Sequence, residues 1–153
     1  MPDYYADSSV LMKCYVDEPG SEFMLRLIEN DALWVFCSAV GEVELVAALT
    51  RRGHGERLNP LRVDAKVSEA RADFARRYHV VEVTDDLLSR ACDVARARGL
   101  RGYDAVHLAT ALAVVEGARL HNRPRLTMLS ADADLNRAAR AEGLDVVDPT
   151  VEA

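Results

Sequence analysis

The chain has 153 residues, half of them hydrophobic, which suits one compact domain spanning residues 1–153 around a sizeable core. Its 19 basic residues stand against 25 acidic ones, a formal charge of −6, which argues against a simple nucleic-acid coat protein. Yet 17 of the 19 cations are Arg, whose planar fork suits phosphate, so local phosphate-binding patches stay open. Met1-Pro2-Asp3 is no basic leader, and no apolar signal core follows it. The most apolar stretch, Ala105 to Val115, is too short to span a bilayer and contains His107 and Thr110. The expectation is a soluble, cytoplasmic protein with no membrane contact. Cys14, Cys37 and Cys92 form no Cys-x-x-Cys motif and read as free thiols in a reducing compartment.

Strand-like and helix-like runs alternate along the chain. Tyr4-Tyr5-Ala6 reads as a first strand, followed by a helix over Val10–Val16 that ends at Glu18-Pro19-Gly20. Ser21 is placed to cap a second helix, whose apolar face is Phe23, Met24, Leu27 and Ile28. Leu33–Phe36 reads as a buried strand. Ser38 caps a helix to about Arg52, which Gly53-His54-Gly55 should break. A polar helix over Leu61–Arg77 leads to a third strand, Val80–Val83. Thr84 caps the next helix, which stops at Gly99. A further helix runs from Tyr103 to Gly117, then a strand at Leu126–Leu129. A helix from Ala133 to Gly143 and a short strand at Asp145–Val147 complete the pattern. Strands separated by helices predict an α/β fold: three layers, α/β/α, with a mainly parallel five-stranded sheet. Sites in such sheets lie beyond the carboxyl ends of strands.

Four short segments place an acid beside apolar sequence: Tyr5-Ala6-Asp7-Ser8-Ser9, Glu42-Val43-Glu44-Leu45, Tyr103-Asp104-Ala105-Val106 and Ser130-Ala131-Asp132. Acids avoid such surroundings unless their charge is compensated, and clustered carboxylates cage hard divalent cations. Asp7 and Asp132 follow strands; Glu44 and Asp104 fall in the first turns of helices. Each admits a plainer reading. Asp7 and Asp104 suit helix starts as caps or dipole partners. Glu44 is favoured over Glu42 because its surroundings look more buried. Asp132 and Asp134 are left open, one capping the helix while the other binds metal. His107 sits three residues after Asp104 in an apolar helix and reads as a packed, hydrogen-bonded side chain in preference to a ligand. His54, His79 and His121 have no metal-binding spacing. No Gly-x-Ser-x-Gly elbow surrounds Ser8 and Ser9, and no Gly-rich phosphate loop occurs. Arg98 and Arg101 precede the Asp104 helix, where they are within reach of a substrate phosphate.

Together with Val43–Leu49 and Tyr103–Ala111, these segments resemble the PIN-domain ribonucleases, and the whole-chain layout from Tyr4 to Pro149 is similar to the VapC toxins of toxin–antitoxin pairs. The resemblance places Asp7, Glu44, Asp104 and Asp132 on the family's acidic catalytic site. Asp7 and Asp104 fall on metal ligands, joined by Glu44 and Asp132. Ser8 and Ser130 take the supporting hydroxyl positions. Gly41 stands where many relatives carry a larger, often basic residue. The resemblance implies one or two Mg²⁺ or Mn²⁺ ions and RNA hydrolysis to 5′-phosphate and 3′-hydroxyl ends. It also implies a homodimer and a cognate VapB-like antitoxin, for which Leu11, Tyr15, Phe23 and Leu27 are either contacts or core. The alternative is a non-catalytic PIN-like module that binds RNA or protein. A receiver-like phospho-acceptor fits poorly: Asp7 is followed by Ser8, and Thr84 stands after Val83.

Overall fold

The computed structural model describes residues 2–151. Five strands form one parallel sheet: β1 (Asp3–Ala6), β2 (Val35–Ser38), β3 (His79–Val81), β4 (Leu126–Leu129) and β5 (Asp145–Val147), in the order β3-β2-β1-β4-β5. The sheet is built outward from β1, first to β2 and β3, then across to β4 and β5. Strand order therefore reverses at β1, which lies between β2 and β4. In open α/β sheets that reversal is where a crevice opens above the strand ends.

Side chains alternate between the two faces, as a pleat requires. Tyr4, Ala6, Val35, Cys37 and Leu129 point to one face. There they meet α1 (Ser8–Leu11), α2 (Ser21–Ile28), α3 (Ala39–Gly55) and α4 (Pro60–Arg76). Tyr5, Phe36, Leu126 and Met128 point to the other, against α6 (Gly102–Leu120) and α7 (Ala133–Ala141). A third cluster joins α5 (Asp85–Arg98) to α6 through Leu87, Ala91, Ala105 and Ala109. All seven residues from Ala105 to Ala111 are buried, which explains why this helix is apolar on every side. Each fully buried Leu or Met, such as Leu108 or Met128, contributes roughly 1.5–3 kcal/mol of transfer free energy. Leu11, Tyr15 and Leu27 are buried in the first core, with Phe23 packed against it, so these four serve the interior. Among the described residues no helix is long and apolar enough to cross a membrane.

Several caps act as expected. Ser38 accepts from the Val40 amide, and Thr84 from the Leu87 amide. Gly99 adopts φ +65° to end α5. Other boundaries differ. The first helix begins at Ser8, tightens into a 3₁₀ turn at Met12–Cys14 and stops before Val16. Ser21 does not cap α2. Its hydroxyl accepts from the Glu18 amide and donates to the Val16 carbonyl, tying the preceding loop instead. Gly20 adopts φ +92° there, with the Pro149 carbonyl so near that a Cβ would lie 2.9 Å away. β2 lies two residues later than expected: its pairing with β1 begins at Tyr4–Val35, and Trp34, just before it, stacks on His79 (4.2 Å between ring centroids) under the Arg123 guanidinium. β3 ends at Val81, since its partner Ser38 is the last residue of β2.

Gly53-His54-Gly55 does not break α3, nor does Gly117 break α6. Gly53 is where α4 crosses closely: a Cβ built there would lie 2.4 Å from Cγ2 of Val63. Val63 is β-branched and helical, so it has little freedom to yield. Gly53→Ala should therefore destabilise the fold by about 1–3 kcal/mol in urea melts, although helix propensity alone favours Ala by about 1 kcal/mol. Unchanged or increased stability would mean that α3 and α4 are not packed this tightly.

Candidate active site

Strand register assembles the first part of the site. β1 and β4 pair Ala6 with Leu129, so the next residues, Asp7 and Ser130, leave the sheet side by side. The Asp7 amide still donates to the Leu129 carbonyl at 3.2 Å. Its carboxylate is 3% exposed. Oδ1 accepts from the Ser9 hydroxyl (2.5 Å) and the Val10 amide (3.2 Å), and Oδ2 from the Ser130 hydroxyl (2.7 Å). Asp7 is thus a helix cap as well as a buried acid. Ser130 also accepts from the Asp132 amide at 3.1 Å, and Ser9 from the Ala131 amide at 3.0 Å. The two hydroxyls lace the ends of β1 and β4 together.

Asp132 caps α7: its Oδ1 accepts from the Leu135 amide at 2.9 Å. Its other oxygen is free of that duty and contacts Nη2 of Arg101 at 3.2 Å. Asp104, in the first turn of α6, meets Nε of the same guanidinium at 3.4 Å. Arg101 therefore bridges the two acids, although its own side chain is 81% exposed. Glu44 lies in the second turn of α3, not the first, which belongs to Glu42. Its Oε1 is 2.6 Å from Nε2 of the buried His107, whose Nδ1 is 2.7 Å from the Tyr5 hydroxyl.

The near neighbours face elsewhere. Glu42 pairs with Arg71 at 3.0 Å on an exposed flank, and Val43 is 69% exposed, so the apolar look of that stretch did not mean burial on all sides. Asp134 is largely exposed and pairs with Arg137. Arg98 is held by Glu142, away from the acids. Ser8 is half-buried at the start of α1, and the hydroxyl on Asp7 from that helix belongs to Ser9. Gly41 is buried against Phe74 and His107, so this position faces the core. Ser9, Tyr5 and Asn136, whose side-chain amide donates to the Ser130 carbonyl at 2.9 Å, are contacts the sequence reading passed over.

The acids share one electrostatic field. Burial pushes the Asp7 carboxyl up, against the opposing pull of His107 and its three hydrogen bonds. Asp104 is also raised, first by burial and then by the negative charges of Asp132 and Asp7, with Arg101 acting in the other direction. Burial alone would lower His107. The Glu44 bond and the charges of Asp7, Glu44 and Asp104 outweigh it, and the net shift is upward.

Among the described residues, no three His, Cys, Asp or Glu side chains are arranged as a metal-holding group. The donors nonetheless suit a hard divalent cation: all are carboxylate or hydroxyl oxygens, and the acids repel one another. Arg101 supplies a cation between two of them. A groove of about 850 Å³ opens beside these residues, walled by Leu88 and Ala91 of α5 and by Tyr103 and Asp104 of α6.

This architecture is matched by known proteins. The family model described as the PIN domain matches residues 4–141. Ribonuclease VapC45 of Mycobacterium tuberculosis (strain CDC 1551 / Oshkosh) is 33% identical, over 95% of each chain. Among solved structures, PAE2754 from Pyrobaculum aerophilum superposes with a TM-score of 0.65 at 18% identity, covering 97% of this chain and 90% of the other. A toxin–antitoxin complex from Klebsiella pneumoniae gives 0.61 at 16% identity, covering 96% and 98%. The site at the β1/β4 strand ends, the sheet order and these matches agree: the chain belongs to the PIN domain family.

Proposed function

We propose that this chain is a metal-dependent endoribonuclease acting in the cytoplasm as the toxin of a toxin–antitoxin pair. The observation that carries the reading is the Asp7 carboxylate, buried at the reversal of strand order beside Asp104, which feels the negative charges of both Asp132 and Asp7. A fold retains such a partly compensated buried charge where a cation is to be bound. The ribonuclease relative and the toxin–antitoxin neighbour support the activity and the partner.

In this reading Asp7, Asp104 and Asp132 hold one or two Mg²⁺ or Mn²⁺ ions, with Glu44 at their margin. Bound there, a divalent ion would lower the pKa of a water and offset charge on the phosphate. Glu44 accepts a proton from the attacking water and orients it in line with the leaving 3′ oxygen. Ser9 and Ser130 keep the Asp7 carboxylate fixed by donating to it. Arg101, exposed and beside the acids, is placed to take a phosphate oxygen once it leaves them. The water oxygen bonds to phosphorus as the P–O3′ bond breaks, and the 3′ oxygen takes a proton from solvent, leaving 5′-phosphate and 3′-hydroxyl ends. The groove between α5 and α6 gives an antitoxin segment a seat beside the acids, and a homodimer is the expected assembly.

Cleavage of RNA by the wild type should require Mg²⁺ or Mn²⁺ and be lost on chelation. Asp7→Asn should reduce it by roughly 10²-fold or more. Activity that survives both treatments rules out the mechanism, whereas a PIN-like module that only binds RNA or protein would neither cleave nor bind manganese in calorimetry. In cells, expression of the wild type alone should arrest growth, and co-expression of the antitoxin should relieve it; arrest by Asp7→Asn at equal levels would contradict the toxin reading.

The same residue gives a stability prediction of opposite sign. A carboxyl raised above its unfolded pKa stabilises the fold while protonated; that contribution is present below the unfolded value and lost as pH rises through the folded one. Ionising Asp7 in the metal-free fold is therefore a cost that grows as pH rises through the folded value. Asp7→Asn should melt at a higher temperature than the wild type at pH 7, with the gap narrowing as pH falls toward about 4. Manganese at a hundred times its Kd should stabilise the wild type by about 2.7 kcal/mol and the variant much less. A lower melting temperature for the variant at pH 7 would show that the Asp7 charge is well compensated without metal.

A further inference from the structure

Beneath the acids runs a buried polar chain whose purpose the mechanism leaves open. The Tyr5 hydroxyl meets Nδ1 of His107 at 2.7 Å, and Nε2 of His107 meets Oε1 of Glu44 at 2.6 Å. Tyr5 is 0% and His107 1% exposed, so neither reaches solvent or substrate. The three residues come from β1, α6 and α3, elements far apart in the chain. Tyr5 sits on the central strand, paired with Phe36 on one side and Met128 on the other, which makes it a rigid anchor. Gly41, one turn before Glu44 on α3, lies against the imidazole and Phe74: a Cβ there would stand 3.9 Å from Cε1 of His107 and 3.6 Å from the Phe74 ring. The absence of a large side chain at this position lets His107 lie close under α3.

Hydrogen-bonding roles follow from the ends of the chain. A carboxylate only accepts, so the Nε2 of His107 carries a hydrogen and donates to Glu44, whether the ring holds one proton or two. In the singly protonated ring Nδ1 is the acceptor, and the Tyr5 hydroxyl, kept protonated by its burial, donates to it. Without the bond, Glu44 is a partly exposed side chain on a helix surface with several rotamers open to it. With it, one oxygen is fixed and the other is left for the site.

We propose that His107, braced by Tyr5, is a positioning residue that holds the Glu44 carboxylate in its working orientation. This rests on the nuclease reading above. Imidazoles held by an outer partner while they orient a reactive group are a recurrent device, and loss of such a contact typically costs 10–100-fold.

The test has two arms. In the metal-free protein, ¹⁵N resonances of the His107 ring should show a protonated Nε2, and Glu44→Gln should shift them. In cleavage assays, His107→Met should lower kcat by roughly 10–100-fold with KM for RNA little changed. His107→Gln, whose amide can donate from near the Nε2 position, should recover a substantial part. In a Glu44→Gln background, His107→Met should cost nothing more. Tyr5→Phe should give a smaller loss in kcat of the same kind. An Nε2 without hydrogen, ring resonances indifferent to Glu44→Gln, or a His107→Met loss that adds fully to that of Glu44→Gln would overturn the proposal. If His107→Met does not fold, the resonance response and Tyr5→Phe decide. A wild type that cleaves no RNA with metal overturns the nuclease reading itself, and the role of His107 with it, even where the bond is seen.

Discussion

The Asp7 carboxylate is 3% exposed at the end of the central strand, and both its oxygens are occupied from two directions. Ser9 and the Val10 amide come from the helix that follows it; Ser130 comes from the end of the neighbouring strand. Because β1 and β4 are in register, this one contact set brings segments 123 residues apart into a fixed relation. Asp132 inherits its place from Ser130, which accepts from its amide. The three hydrogen bonds do not remove the charge problem, since burial still raises the Asp7 carboxyl. The rest of the site reads as a response to that charge.

Two side chains answer the charge of the acid cluster as a whole. His107 reaches the field from below, buried in α6 and bonded to Glu44; Arg101 reaches it from outside, spanning Asp104 and Asp132. They differ in what their removal from the acids would cost. His107 is locked by packing and by Tyr5, whereas Arg101 is 81% exposed and returns to water with little desolvation. A divalent ion held by the acids, as proposed, would bring twice the charge of the guanidinium. The fold thus places a fixed partner under Glu44 and an exchangeable one over the aspartates, the division that the proposed metal and phosphate binding would require.

The layout of the sheet was legible because local signals agreed with it. Thr84 and Gly99 bound α5 through cap chemistry that any chain of this sequence would use, and Leu126–Leu129 reads as a strand because all four residues are buried. Glycine misled: Gly53 looks like a break yet admits α4 against α3, and Gly117 sits within α6 with open space where a side chain would be. The acids were legible as charges in apolar sequence; Asp7 caps α1 as expected, and of the pair left open it is Asp132 that caps α7, one oxygen of each carboxylate capping while the other faces a neighbour. What sequence did not reveal is contact across long separations. Tyr5, His107 and Glu44 meet through three elements, and Ser9 rather than Ser8 meets Asp7 because of how the first helical turn points. Pattern along a chain fixes faces and ends; it does not fix which polar atoms meet.

Whether the field around Asp7 is a cation site decides the proposed chemistry. Anomalous diffraction from crystals equilibrated with Mn²⁺ examines this without reference to activity. A manganese peak is expected in direct contact with carboxylate oxygens of Asp7 and Asp104, with the Arg101 guanidinium withdrawn from Asp104 and Asp132. Crystals in which Arg101 still bridges those acids and manganese is absent from them, or bound elsewhere, would contradict it.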